Sequence, residues 1–216
     1  MKIAKNTKNW VITPFLISII FIIFFFIIDN NLFKSIFIFL FYILMIIAFF
    51  MLVFFRDPER KIGSSIVSPA DGKIREIVKI DDKELGGTFK ISIFMNIYNV
   101  HVNRMPIDGK IMGINHKPGG YIPAYKKESE RNERMVLDIN TIIGNIKMIL
   151  IAGTIARRII LYKKKGDYVK KGIRIGIIRL GSRVDLYLPE QKISKINVEL
   201  GDMVLAGETT IAEITN

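Results

Sequence analysis

Between Arg179 and Pro189 the chain reads Arg179-Leu180-Gly181-Ser182-Arg183-Val184-Asp185-Leu186-Tyr187-Leu188-Pro189. A serine directly after a glycyl carbonyl can open its own peptide bond. Its oxygen attacks the preceding carbonyl, the amide becomes an ester, and elimination followed by hydrolysis leaves a pyruvoyl group on the new N-terminus. A serine hydroxyl is a poor nucleophile near neutral pH until a base removes its proton, so this chemistry needs a partner from elsewhere in the chain. Cysteine is absent, which excludes disulfides, thiolate catalysis and Cys-based metal sites. His101 and His116 are the only histidines, too few for a His-rich metal centre. Taken alone, Gly181-Ser182 is far more often an ordinary strand bulge.

The residues around the pair say what must position it. Ile173, Ile175, Ile177, Ile178 and Leu180 precede it, and Val184, Leu186 and Leu188 alternate after it. Both patterns predict β-strand, with Gly181-Ser182 at an interruption where glycine lets the backbone depart from extended geometry. Further strands are expected at Gly72 to Ile80, Phe89 to Phe94, Gly109 to Ile114, Arg134 to Ile139, Ile146 to Ile151, Arg157 to Tyr162 and Ile193 to Val198. Gly and Asp-Gly punctuate them, and no long amphipathic helix is visible. Two repeats stand out. Asp71-Gly72-Lys73-Ile74 recurs as Asp108-Gly109-Lys110-Ile111, and Gly166-Asp167-x-Val169-x-x-Gly172 recurs 35 residues on as Gly201-Asp202-x-Val204-x-x-Gly207. A repeated hairpin with a Gly-Asp turn predicts a mostly β, pseudo-symmetric sandwich or barrel with lipoyl-like hairpins. Lipoyl and biotinyl carriers present their lysine within Met-Lys-Met or Asp-Lys-Ala, and neither tripeptide occurs here.

The N-terminus belongs to a different solvent. After Lys2, Lys5 and Lys8, Trp10 to Ile28 gives 19 uncharged residues, and Ser35 to Phe55 gives 21 more. Each run meets the ~20 residues needed to cross a bilayer as a helix. The first is too long for a signal peptide and lacks a small-residue cleavage site. The expected organisation is therefore a basic N-terminus at 1–9, a two-helix membrane anchor at 10–55 and a β domain at 56–216. One span plus a re-entrant or interfacial helix is the alternative. Basic residues flank the outer ends (Lys2, Lys5, Lys8; Arg56, Arg60, Lys61), which by the positive-inside rule places both ends, and the β domain, in the cytoplasm at the inner face of the cell membrane. Net charge is +12, and residues 56–216 hold 28 basic against 19 acidic residues. An anionic membrane surface is the partner such a tethered basic domain fits. Nucleic acid is set aside, because no recognition motif accompanies the charge.

Several motifs then fall in one order: Phe55-Arg56-Asp57-Pro58-Glu59-Arg60, Ser68-Pro69-Ala70-Asp71-Gly72, Asn99-Val100-His101-Val102-Asn103-Arg104-Met105-Pro106, Glu130-Arg131-Asn132-Glu133-Arg134, Gly153-Thr154-Ile155-Ala156-Arg157-Arg158-Ile159 and Leu180-Gly181-Ser182. Together they resemble the phosphatidylserine decarboxylase proenzymes of the short form, over essentially all of residues 54–216. The resemblance implies self-cleavage at Gly181–Ser182 into a β chain of residues 1–181 and an α chain of 182–216. It also implies a covalent pyruvoyl cofactor derived from Ser182, and decarboxylation of phosphatidylserine to phosphatidylethanolamine. Asp71 matches the aspartate that, with a histidine, activates the serine, and His101 matches the first histidine of the family's His-x-x-His-Met-Pro. Arg104 stands where the second histidine would be. Either His101 serves both self-cleavage and decarboxylation, or Arg104 or a water takes one of the two roles; His101 is the natural proton donor to the carbon that loses CO₂. His116 also matches, with a structural or loop-positioning role.

The plainer readings stand beside these. Asp71 in Ala-Asp-Gly is a good turn residue, and His101 could be a hydrogen-bonded core histidine. Lys126, Lys127, Arg131 and Arg134 could form a phosphate-facing lip or ordinary solvated surface. Lys163, Lys164, Lys165, Lys170 and Lys171 could meet lipid headgroups. The expected partners are a membrane phospholipid substrate and the two chains of the same proenzyme, and a homodimer is compatible with the sequence. The competing function is a membrane-anchored lipoyl-like carrier or adaptor without catalysis.

Overall fold

The computed structural model describes residues 2–120, 122, 131–153, 158–179 and 182–215. It divides into two compact units, Met1–Pro58 and Glu59–Asn216. In the first, α1 (Lys8–Ile27) and α2 (Asn31–Phe54) pack on each other through stacked rings of Phe21, Phe24 and Phe37. Asn30 starts α2 by accepting the N–H groups of Leu32 and Phe33 on its side-chain oxygen, satisfying donors that a helix start leaves open. At 20 and 24 residues both helices are long enough to cross a bilayer.

The second unit is mostly β. Its strands are β1 (Ile66–Val67), β2 (Gly72–Asp82), β3 (Gly86–Met95), β4 (Val102–Arg104), β5 (Gly109–Lys117), β6 (Arg134–Thr141) and β7 (Gly144–Ala152). They continue with β8 (Ile159–Leu161), β9 (Tyr168–Val169), β10 (Arg174–Ile178), β11 (Ser182–Pro189), β12 (Ile193–Ile196), β13 (Met203–Val204) and β14 (Thr210–Ile214). The expected strands are all present, the one over Arg157 to Tyr162 shortened to β8. An eight-stranded sheet has the order β13-β2-β3-β11-β7-β6-β5-β9, and two smaller sheets have the orders β4-β10-β8 and β1-β14-β12.

The large sheet reads symmetrically from its centre, and the sequence repeats are the reason. Lys73 pairs with Met203 and Gly72 with Val204 at one edge; Lys110 pairs with Tyr168 and Gly109 with Val169 at the other. Each Gly-Asp turn is built alike. Asp167 accepts the Lys164 N–H and Asp202 the Glu199 N–H on a side-chain oxygen. The glycines take matching positive φ values, 95° and 100° at Gly166 and Gly201, 76° and 75° at Gly172 and Gly207. That conformation costs glycine nothing and other residues a steric clash.

One face of the large sheet carries the core. Val184, Leu186 and Leu188 of β11 pack with Ile91, Ile93 and Met95 of β3, Met148 and Leu150 of β7, and Leu137 and Ile139 of β6, all buried. The odd residues of β11, Arg183 and Asp185, take the opposite face, as a period of two requires.

Candidate active site

Chain direction brings Ser182 to the centre of this sheet. β10 ends at Ile178 in the small sheet and β11 begins at Ser182 in the large one, so Ser182 opens a strand in a new sheet rather than sitting inside one strand. Leu180 and Gly181 lie outside the described residues. Ser182 is flanked by Met95 on β3 and Ala152 on β7 and is fully buried. Its Oγ donates to the Met95 Sδ at 3.1 Å. A thioether is a weak acceptor, so a sealed hydroxyl is held in place without being bound tightly.

Asn103 reaches the same sulfur. Its Nδ2 lies 3.7 Å from Met95 Sδ, while its Oδ1 is buried with no hydrogen-bond partner among the described residues. Strand alternation sends its neighbour Arg104 the other way, where Nη1 donates to the Gly172 carbonyl at 2.9 Å and braces the hairpin turn. The sequence singled out Arg104 as the residue in the second histidine's place. The side chain that β4 actually directs toward Ser182's partner is Asn103.

His101 sits just before β4 and is fully buried, its carbonyl accepting from the Ile178 N–H at 3.3 Å. Its Nδ1 lies 2.9 Å from the Asn99 carbonyl oxygen. A carbonyl can only accept, so Nδ1 carries the hydrogen and in the neutral ring Nε2 holds the basic lone pair. The group orienting the imidazole here is a backbone carbonyl.

Asp71 precedes β2, beside β3, and is buried. Its Oδ2 takes Arg60 Nη2 at 2.7 Å and its Oδ1 the Ala206 N–H at 2.7 Å. The sister hairpin repeats half of this: Asp108 Oδ1 accepts the Lys171 N–H at 2.7 Å. Ala206 and Lys171 each precede the closing glycine of their repeat. The amide bond of Asp71 is thus a duplicated turn brace, and the Arg60 pair is the feature the Asp71 half adds. Arg60 comes from the Asp-Pro-Glu-Arg motif and is the residue the sequence reading left without a role at this carboxylate.

Asn132, of the Glu-Arg-Asn-Glu-Arg motif, fixes the other flank. Its Nδ2 donates to the carbonyls of Ile122 (2.5 Å) and Ala152 (2.7 Å), and its Oδ1 accepts the Ile122 N–H at 2.7 Å. One buried amide therefore pins the residue that pairs with Ser182. His116 pairs with Glu133 at 3.1 Å at the exposed end of β5 and β6. Of the cationic lip, Lys126 and Lys127 lie outside the described residues, and Arg131 is exposed. Behind the site, burial pushes the Asp185 carboxyl above the usual range, against the pull of Arg183 at 2.9 Å and of Lys90.

The residues present fit a group made from residue 182. Ser182 begins a strand at a sheet junction, its hydroxyl is sealed in the core face, and the Asn103 side chain of β4 reaches the same sulfur.

Comparison with known proteins gives the arrangement its family. Residues 47–212 match the family described as phosphatidylserine decarboxylase. A Methanosarcina mazei protein provisionally named an archaetidylserine decarboxylase proenzyme is 44% identical over 217 residues, covering 99% of this chain and 98% of its own. A Methanosarcina barkeri protein of the same name is 44% identical over 215 residues, covering 98% of each. The phosphatidylserine decarboxylase proenzyme of Streptomyces coelicolor is 50% identical over 162 residues, 74% of this chain and 72% of its own. These matches set aside a carrier or adaptor without catalysis. A sealed serine at a sheet junction and a match running from α2 to β14 lead to one conclusion: this chain belongs to the phosphatidylserine decarboxylase family, and it is a decarboxylase.

Proposed function

We propose that the chain cleaves itself at Gly181–Ser182 and then decarboxylates phosphatidylserine to phosphatidylethanolamine and CO₂. The observation that carries the proposal is Ser182: fully buried at the junction of two sheets, its hydroxyl resting on a thioether. Ser182 Oγ attacks the Gly181 carbonyl carbon, the C–N bond breaks and an ester forms. Elimination releases the Gly181 carboxylate, and one water then replaces the nitrogen, which leaves as ammonia. His101, with Nδ1–H fixed on the Asn99 carbonyl, takes the hydroxyl proton at Nε2 and later holds the proton that replaces CO₂. The resulting pyruvoyl group supplies a ketone that captures the substrate amine and draws off the electrons released with CO₂. Asn132 holds β7 beside Ser182, Asp71 with Arg60 braces the β2–β13 edge, and the buried core face keeps bulk water out.

The two apolar helices suit a lipid substrate, with the basic catalytic unit at an anionic cytoplasmic membrane surface. The full-length match to the archaeal relatives favours a second reading of the substrate, an ether-linked serine lipid of the same headgroup.

The test is intact mass of the purified full chain, with and without a ketone-trapping amine and reductant. Two fragments, 1–181 and a blocked, trappable 182–216, are expected, with CO₂ released from dispersed serine lipid of one or both backbones. Ser182→Ala leaves one chain and no activity; cleavage persisting in that variant refutes the proposal.

A further inference from the structure

We infer that Asn103 is a substrate-contact residue, its side-chain oxygen accepting an N–H of the ammonium group of the serine headgroup. The inference rests on the pyruvoyl reading above and goes beyond it by assigning the amine end of the substrate a place. A fully buried amide oxygen without a partner is costly, and native folds rarely leave one without a reason. A valine or leucine at this position would pack in the same strand without that cost. The nitrogen end of the amide faces Met95 Sδ, which can only accept, so the oxygen is the end left over. What is missing at Asn103 is therefore a donor.

The headgroup of a serine lipid presents a phosphate, a carboxylate and an ammonium. Only the ammonium donates. It is also the group that must arrive at residue 182, whose Oγ touches the same sulfur as Asn103. The neighbouring cation, Arg104, is directed to the Gly172 carbonyl on the opposite face of β4 and does not compete for this position. The acceptor is neutral, so it can orient an amine that must give up a proton before reacting, without holding it as an ion pair.

The experiment compares full-length wild type, Asn103→Leu and Asn103→Asp in mixed micelles. It records the processed masses, KM and kcat for serine lipid, and inhibition by phosphatidylethanolamine, which has an ammonium, and phosphatidylcholine, which has no N–H. In Asn103→Leu the fragments form, inhibition by phosphatidylethanolamine weakens about ten- to a hundredfold, the span of a hydrogen bond to a charged group, and inhibition by phosphatidylcholine is unchanged. KM rises with it. Asn103→Asp, isosteric and still an acceptor, keeps the preference for phosphatidylethanolamine. Equal inhibition of wild type and Asn103→Leu, a parallel loss of both lipids, or loss of the preference in Asn103→Asp each overturns the inference. Where Asn103→Leu does not process, the preference in Asn103→Asp decides alone, retained or lost. If wild type itself stays uncleaved, the pyruvoyl reading falls and this inference falls with it.

Discussion

Replacing Arg60 with Met removes the charged partner of Asp71 while keeping a side chain of similar length. The Asp71 side chain is 4% exposed and that of Arg60 12%, and the contact is 2.7 Å. Removing one member of a buried pair costs ~3–5 kcal/mol. The low end applies here for two reasons. The Ala206 N–H still satisfies Oδ1, and the Arg60 Nε is itself buried without a hydrogen-bond partner, so losing it recovers part of its desolvation. A cost of ~3 kcal/mol in a unit of this size lowers Tm by roughly 6–12 °C. Asp71→Asn keeps the oxygen for Ala206 and leaves the guanidinium with Glu208 at 3.4 Å, a pair too solvated on the Glu208 side to replace it. The double variant should therefore cost about 2 kcal/mol less than the two singles together. Asp108→Asn, which alters the same turn amide in the sister hairpin, is the control and should cost ~1 kcal/mol. The chain's one tryptophan, Trp10, lies in α1 and reports on the other unit. The assay is therefore thermal melting of the full chain in micelles followed by near-ultraviolet circular dichroism, with hydrogen exchange at β2 and β13. Additivity of Arg60→Met and Asp71→Asn within ~0.5 kcal/mol refutes the coupling.

Two further outcomes follow from other parts of the sheet. For the Asp82 carboxyl burial works upward, but hydrogen bonds from Lys147 Nζ at 2.8 and 2.9 Å and the Glu84 and Leu85 N–H groups bring it below its ordinary value. Its stabilisation is then complete above the ordinary carboxylate range and lost as pH falls through the lowered folded value. Asp82→Asn should cost ~1–2 kcal/mol at pH 7, and the gap to wild type should close under acid; a gap constant with pH in melting curves contradicts it. A Cβ on Gly72 would meet the Phe94 carbonyl oxygen at 2.2 Å, a backbone atom that cannot swing aside, next to the strand position of Met95. Gly72→Ala should lower Tm and slow appearance of the cleaved fragments in a mass time course; wild-type cleavage kinetics count against the tight β2–β3 approach.

Reading the sequence placed the strands within a few residues and found both hairpin repeats, because a period of two and a Gly-Asp turn are properties of adjacent residues. It likewise found the two apolar helices, since ~20 uncharged residues in a row have one good solvent. Ser182, His101 and Asp71 were singled out by the order of their motifs. The partners of those residues were not. Asp71 meets Arg60 and Ala206, the latter 135 positions away, and His101 takes its orientation from the Asn99 backbone.

What the sequence determined by itself is the division into an apolar helical unit and a β unit, the duplicated edge of the sheet and the family. The tertiary structure decided that Ser182 opens a strand in a different sheet from β10, that its hydroxyl donates to Met95, and that Asn103 rather than Arg104 reaches the same sulfur. The physical reason is that periodicity tells which residues share a strand face, while pairing between distant strands tells which residues share a site. Met95 lies in register with Ser182 because β3 and β11 are neighbours, although 87 positions separate them in the chain.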